Sequence, residues 1–222
     1  MNPLVVLAAG TVVVMAALTA YLVIDSNAAK RSDRSTTELF FYCAAGMRAP
    51  ITRIAQEYED EYGVKVQIQF GGSNTLLSQI EVAETGDLYL AADESYLDAA
   101  REKGLVQERL PVATMRPIIA VPAGNPKQIR TIDDLLADGV RVAIGNPDQA
   151  AVGKRTRQVL RESGHWDRLD EQVRDAGVFF PTVNEVANAV QLNSVDAGII
   201  WNAVAAQYDE LEAVRCPELD TA

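Results

Sequence analysis

The sequence predicts an α/β fold with mainly parallel sheets, and three observations lead to that class. Short apolar runs alternate with amphipathic helical patterns between residues 38 and 201. Glycines and capping residues separate the two kinds of pattern. The apolar content of 48% over 222 residues is enough for a sizeable core. Strands that alternate with helices usually pair in parallel, because each helix carries the chain back across the sheet.

The first half begins with a strand, a helix and a second strand. Residues 39–44 form an apolar run typical of a buried strand, and residues 64–70 alternate in polarity as a half-buried strand does. Between them, Pro50 opens a helix that Gly63 ends. The apolar positions of this helix are Ile51, Ile54, Ala55, Tyr58 and Tyr62.

A third strand is predicted at residues 87–92, with a helix on each side of it. Before the strand, Ser73 is placed to cap a helix. The apolar positions of that helix are Leu76, Leu77, Ile80 and Ala83. After the strand, Asp93 is placed to cap a helix that ends at Gly104.

The second half repeats the alternation. Thr131 and Asp134 have the spacing of a capping box. Strands are predicted at residues 118–121, 140–145, 178–179 and 197–201. Helices are predicted at residues 153–163, 183–192 and 205–214, and residues 165–167 form a short turn or helix. The inward positions of helix 183–192 are Val186, Ala187 and Val190.

Residues 1–24 form a predicted membrane-targeting segment. Positions 4–24 are 21 consecutive uncharged, mostly apolar residues, enough to cross a hydrocarbon core of roughly 30 Å as a helix. An uncleaved anchor is favoured over a cleaved signal peptide, because a charged n-region is missing and residues 26–28 are only a tolerable cleavage site. Residues 25–37 are small and polar, which suits a flexible tether.

The charges beside this segment disagree with an external location for the rest of the chain. The basic residues that follow it are Lys30, Arg31 and Arg34. The positive-inside rule, by which basic residues beside a membrane segment stay in the cytoplasm, would place the chain after residue 24 in the cytoplasm. A periplasmic or extracytoplasmic location, which the family resemblance implies, conflicts with that rule.

The overall charge excludes one class of partner. A net charge of −11 argues against nucleic acid, which is bound through clustered Lys and Arg. The same charge repels a free anion at long range, so an anionic ligand must be held by local backbone donors.

No catalytic constellation is present, so the sequence predicts no enzyme and no cofactor. His165 is the only histidine and has no nucleophile motif beside it. Seven residues separate Gly145 from Gly153, where a phosphate loop has four, and Arg155 stands in place of its Ser or Thr. Two cysteines cannot form a zinc site. Buried free thiols are expected at Cys43 and Cys216, with a single bridge as the alternative.

Small-residue turns precede four of the predicted helices. The first N–H groups of a helix have no partner within it, and together with the helix dipole they form an anion site that needs no cationic side chain. The four turns are residues 45–47, 72–74, 151–153 and 182–184. The four turns can form one anion site only if the fold brings them together.

The order of motifs resembles the periplasmic molybdate-binding protein family, the substrate-binding components of ABC transporters. The matching segments are Y-C-A-A-G-M, E-Y-G-V-K-V, F-G-G-S-N-T-L-L-S-Q-I-E, G-D-L-Y-L-A-A-D, V-A-I-G-N-P-D-Q-A-A-V-G-K, G-H-W-D-R-L and D-A-G-I-I-W. The resemblance covers residues 38–205 and implies a two-lobed periplasmic-binding-protein-like fold. Residues 38–115 would form lobe 1, residues 116–201 lobe 2, and residues 202–222 a short return segment. Either the first lobe is incomplete at the C-terminus or it is completed differently.

The resemblance also implies a site between the lobes for molybdate or tungstate. The residues it assigns to this oxyanion are Gly46, Met47, Ser73, Asn74, Val152, Val183 and Trp201. Ser73 would donate from its hydroxyl and backbone, whereas Val152 and Val183 would donate only from the backbone. Gly46 and Trp201 depart from the family pattern, which has a hydroxyl residue and a tyrosine there. Binding is therefore expected to be weakened or retuned unless Asn74 compensates, since a lost hydrogen bond to a charged group costs roughly 1.5–3 kcal/mol.

Two functions follow as expectations. The first is an extracytoplasmic solute-binding protein that closes like a hinge around molybdate or tungstate and delivers it to an ABC permease. The second is a membrane-tethered sensor or degenerate binding module for another small ligand.

Overall fold

The computed structural model describes residues 38–220. The predicted membrane-targeting segment and tether, residues 1–37, lie outside this range. Within it, no helix is long and apolar enough to cross a membrane.

Eight strands and eight α-helices follow one another in the described range. The strands are β1 (Glu38–Ala44), β2 (Lys65–Gly71), β3 (Leu88–Leu90), β4 (Pro117–Pro122), β5 (Val142–Gly145), β6 (Val178–Phe180), β7 (Ala197–Trp201) and β8 (Leu211–Val214). The helices are α1 (Arg48–Tyr62), α2 (Ser73–Ala83), α3 (Ser95–Glu102), α4 (Ile132–Leu135), α5 (Ala151–Glu162), α6 (Trp166–Ala176), α7 (Val183–Gln191) and α8 (Asn202–Ala205). Short 3-10 turns cover Ala45–Met47 and Pro217–Leu219.

Two separate sheets define two lobes. The sheet of the first lobe has the order β2-β1-β3 with both pairings parallel. The sheet of the second lobe has the order β6-β5-β7-β4-β8, in which β5 pairs in parallel with β6 and β7. Strand β4 runs antiparallel to both β7 and β8. Four of the six pairings in the described range are thus parallel, and the predicted α/β class is confirmed.

The apolar core is continuous between the lobes. One cluster of buried side chains joins Leu77 and Tyr96 of the first lobe to Val183 and Trp201 of the second. A second cluster covers the other face of the larger sheet under α5 and α6, and a small third cluster lies inside the first lobe. The cleft between the lobes is therefore held by packed apolar side chains as well as by polar contacts.

Most predicted elements are present, with three differences. Residues 165–167 open the 11-residue helix α6, which is amphipathic and buries Trp166 and Leu169. The predicted helix at 205–214 is wrong: α8 ends at Ala205, and residues 211–214 form β8 on the free edge of β4. Two predicted caps are displaced by one residue. Gly72, not Ser73, occupies the N-cap position of α2. Glu94, not Asp93, occupies that of α3, although Asp93 Oδ1 accepts from the Ser95 N–H at 3.0 Å.

Helix α1 does not bury its predicted apolar stripe. Only Ile51 is buried, whereas Ile54 and Tyr62 are more than half exposed. The helix packs against β2, but this contact buries only one residue of its stripe. Ala83, at the end of α2, is also exposed for lack of a covering element in the described range.

Both cysteines are free and buried, as predicted. Burial raises the pKa of the Cys43 thiol to about 12. Burial, together with a hydrogen bond from Cys216 Sγ to a Glu218 carboxylate oxygen at 2.8 Å, raises the pKa of Cys216 to about 12 as well. Neither thiol is a nucleophile at neutral pH, because only the thiolate reacts.

Candidate functional site

A small uncharged cleft lies where the two lobes meet. Thirteen residues line it, and none of them carries a charge. Most are glycine or alanine, so the backbone itself forms the walls. The cavity has a volume of about 10 Å³. A pocket for an organic ligand usually measures roughly 300–1,000 Å³, so this cleft suits only a very small solute.

Three helix N-termini converge on the cleft. Ser73 is the first residue of α2, Val152 the second of α5, and Val183 the first of α7, and all three line the cavity. Their backbone N–H groups have no intrahelical partner because of these positions. No other acceptor within residues 38–220 takes these three N–H groups. The cleft therefore collects free backbone donors and the positive ends of three helix dipoles.

The Ser73 hydroxyl adds a side-chain donor. Ser73 is 1% exposed, and its Oγ accepts a hydrogen bond from the Ala92 N–H at 3.1 Å. A hydroxyl that accepts at one lone pair still has its own proton to donate. Within the described range that proton has no acceptor, so it is available to a ligand oxygen. By contrast, the Thr182 hydroxyl at the cleft wall donates to the Glu185 carboxylate at 2.6 Å and is committed to the capping box of α7.

Gly46 and Trp201, the two departures from the family pattern, are neighbours in the cleft. A Cβ built on Gly46 would lie 3.6 Å from the Cδ1 edge of the Trp201 indole. It would also lie 3.0 Å from Val204 Cγ2 and 3.1 Å from Val183 Cγ1, which is tighter than ordinary contact. A Cβ at position 46 would thus be in ordinary contact with the Trp201 ring, and the closer contacts with Val204 and Val183 are what favour glycine there. The indole N–H of Trp201 makes no hydrogen bond to the described residues and is a further neutral donor.

Gly72 lies where the backbones of the two lobes approach each other closely. A Cβ on Gly72 would lie 2.5 Å from the carbonyl oxygen of Gln149 and 2.7 Å from that of Pro181, both in the second lobe. Its φ of −67° and ψ of 142° are open to any residue. Glycine is required here by the neighbouring backbone and not by its own conformation.

Among residues 38–220, four hydrogen bonds cross between the lobes around the cleft. Asn74 donates twice, from Nδ2 to the Asp148 carbonyl oxygen at 2.8 Å and from its backbone N–H to the Gln149 carbonyl oxygen at 3.1 Å. Lys154 Nζ donates to Ser95 Oγ at 2.7 Å. The Gln207 side chain donates to the Gly46 carbonyl oxygen at 3.2 Å. These bonds hold the closed arrangement of the lobes.

The structure brings together five of the seven residues assigned to the ligand. Those that line the cleft are Gly46, Ser73, Val152, Val183 and Trp201. Met47 lines a larger neighbouring cavity of about 420 Å³, and Asn74 joins the lobes to each other. Sequence reasoning did not identify the roles of Gly72 and Lys154. For Gly72 the signal was present in the double glycine that ends β2, whereas the contact of Lys154 with Ser95 joins residues 59 positions apart and had no local signal.

The fold and the cleft define a solute-binding protein. Residues 39–221 match the family described as bacterial extracellular solute-binding protein, and the chain belongs to that family. This membership places it among binding proteins and not among enzymes. Its expected resemblance to molybdate-binding proteins and its two-lobed fold are confirmed by the relatives that follow.

The names of the similar proteins mention more than one ligand. Molybdate-binding protein ModA of Mycobacterium tuberculosis H37Rv is 29% identical over 181 residues, covering 80% of this chain and 66% of that protein. The periplasmic molybdate-binding protein of Azotobacter vinelandii shares the fold with a TM-score of 0.60 and 22% identity, covering 77% of this chain and 75% of that one. The sulfate-binding protein SubI of M. tuberculosis H37Rv shares it with a TM-score of 0.66 and 19% identity, covering 82% of this chain and 71% of that one.

Proposed function

We propose that this protein is an extracytoplasmic solute-binding protein that closes around molybdate or tungstate and passes it to an ABC permease. The observation that carries the proposal is the uncharged cleft with its three free helix N-terminal N–H groups and the Ser73 hydroxyl. Such donors bind an anion without a cationic side chain. The 29% identity to a molybdate-binding protein supports molybdate as the oxyanion.

The geometry favours a compact oxyanion over an organic ligand. Donors reach the cleft from both lobes, with Ser73 on the first lobe and Val152 and Val183 on the second. A tetrahedral oxyanion presents oxygens in several directions at once and therefore bridges the lobes. The cavity has room for about one water molecule, so the lobes part slightly around any ligand, and its uncharged backbone-lined wall suits a compact oxyanion better than a carbon skeleton. In this proposal Trp201 donates in place of the tyrosine of the family pattern.

Thermal unfolding of the full chain, purified in a mild detergent, tests the ligand. Molybdate, tungstate and sulfate are each titrated, with sodium chloride at matched ionic strength as the control. A ligand at about 100 times its dissociation constant stabilises the folded state by roughly 2.7 kcal/mol, which shifts the transition visibly. We expect molybdate and tungstate to produce this shift. A cooperative transition that none of the oxyanions moves would contradict the proposal and favour a sensor or degenerate module for another ligand.

Oxyanion affinity is expected to be constant from pH 6 to pH 9. None of the cleft-lining residues titrates. The ionisable groups bonded to lining residues are Glu185, whose carboxylate accepts from Thr182, and Tyr89. Burial raises the pKa of Tyr96 to about 12 and raises that of Tyr89, whose hydroxyl donates to the Ser73 carbonyl oxygen, above its usual range. An acid with a raised pKa in the folded state stays neutral, and its stabilising effect is lost only as pH rises above the unfolded value of about 10. Calorimetric titrations across this range check the expectation, and a tenfold change in affinity would contradict it.

A further inference from the structure

We propose that a cleft between α5 and α6 is a second binding site of this protein, for small organic anions that carry two or more carboxylates. This arginine cleft has a volume of about 380 Å³. It shares no lining residue with the uncharged cleft between the lobes, which we call the oxyanion cleft. Arg157 and Arg161 extend from α5, and Arg174 extends from α6 on the opposite wall. The loop 146–148 and the Phe179 ring complete the lining.

The spacing along the two helices creates the arginine cleft. Arg157 and Arg161 are four residues apart and therefore share one face of α5. On α6, Trp166, Asp170 and Arg174 also follow at intervals of four. The two faces oppose each other, so guanidinium groups approach the same space from both sides. Trp166 is buried at one end and fixes the contact between the helices.

The charges in the arginine cleft do not balance. The Arg174 guanidinium binds both oxygens of Asp170, at 2.7 and 3.2 Å, and lies 5.4 Å from the centre of the Phe179 ring. Arg157 binds Asp148 at 2.9 Å. The Arg161 guanidinium makes no ion pair or hydrogen bond to any residue in the described range. Three guanidinium groups thus face two carboxylates, which leaves a local positive charge in a chain whose net charge is −11.

One of the two internal carboxylates is replaceable. The Asp148 side chain is 78% exposed, whereas the side chain of its partner Arg157 is only 29% exposed. An exposed carboxylate contributes little to such a pair, since water competes for it. A ligand carboxylate can therefore take its place at Arg157 while a second one binds the unpaired guanidinium of Arg161. Arginine forks bind carboxylates through two parallel hydrogen bonds, which favours this pairing.

The size of the arginine cleft separates its ligands from those of the oxyanion cleft. About 380 Å³ lies in the range of small-molecule pockets, and the lining is mainly polar. A di- or tricarboxylate with a short carbon skeleton fits these conditions. The same molecule would meet no charged side chain in the cavity between the lobes. The two proposed sites can therefore be tested independently.

Isothermal titration of the full chain with succinate and with citrate tests this site, with the uncharged diamide of succinate as a control. We expect both anions to bind, the diamide not to bind, and added salt to weaken binding by screening. Arg161→Gln should weaken citrate at least about tenfold, the scale of one charge-assisted hydrogen bond. The matched control is Arg168→Gln, because Arg168 lies on α6 outside the cleft and pairs with Asp133 on the surface. It should change citrate affinity less than about fivefold, because an exposed charge outside the cleft is screened by water and salt.

Three results would overturn the proposal. The first is that neither anion binds, and the second is that Arg161→Gln leaves the citrate affinity unchanged. The third is that Gly72→Ala abolishes citrate binding, because this substitution alters only the contact between the lobes. Molybdate titrations of the Arg161→Gln protein separate this proposal from the proposed function. Oxyanion binding should be unchanged there, whatever the result with citrate.

Discussion

Gly72→Ala is expected to weaken oxyanion binding by roughly 5- to 150-fold, because it disfavours the closed arrangement of the lobes. The added Cβ would meet two backbone carbonyl oxygens of the second lobe at 2.5 and 2.7 Å. Backbone atoms cannot move aside as a flexible side chain can, so the lobes cannot reach the closed arrangement. Overpacking of this kind costs about 1–3 kcal/mol, and each 1.4 kcal/mol corresponds to a tenfold change in affinity. The dihedral angles of Gly72 permit alanine, so the first lobe folds as before.

The neighbouring glycine supplies the control for this experiment. In Gly71→Ala the new Cβ would meet only the Leu76 side chain, at 3.1 Å and within the same lobe. Calorimetric titration with molybdate should therefore give an affinity close to that of the unaltered protein. Small-angle X-ray scattering with saturating molybdate should show compaction for Gly71→Ala and none for Gly72→Ala. Equal affinity of the two variants would mean that the lobes do not close on the ligand as they are arranged here.

Much of the fold could be predicted because local patterns determine it. The capping boxes of α4 and α7, the glycine that ends α1 and the apolar run of β7 are all signals within a few residues. The predictions failed where contacts with residues distant in sequence determine the structure. Residues 211–214 had no strong preference of their own and became a strand because β4 offered a free edge. The stripe of α1 predicted burial, but no described element covers Ile54 or Tyr62.

The candidate site was predictable in parts for the same reason. Small-residue turns at helix starts are visible in sequence, and residues from all four of them line the cleft. Whether a turn faces a ligand or the other lobe depends on distant residues. Asn74 illustrates the difference, since both of its donors bond to carbonyl oxygens about 75 positions away. The fit of Trp201 against Gly46 also joins distant positions, so each departure from the family pattern looked independent in sequence.

Val183→Pro should weaken oxyanion binding by roughly 10- to 150-fold, because it deletes one proposed donor with little effect on the fold. Val183 is the first residue of α7, the helix position at which proline is best tolerated. The preceding Thr182 has φ −134° and ψ 155°, the extended conformation that a residue before proline prefers. The loss of one hydrogen bond to a charged group costs about 1.5–3 kcal/mol, which gives the expected range.

The control separates the lost N–H group from the altered side chain. Val183 is 5% exposed and packs in the core shared by the lobes, so proline also changes that packing. Val183→Ala removes more of the side chain but keeps the N–H group. It should lower the thermal transition at least as much as Val183→Pro while retaining most of the molybdate affinity. Calorimetry and thermal unfolding of both variants test this, and equal affinities in the two would show that the Val183 N–H group does not hold the ligand. Because no charged side chain lines the cleft, the backbone donors must supply most of the binding, and the effect of removing one should be correspondingly large.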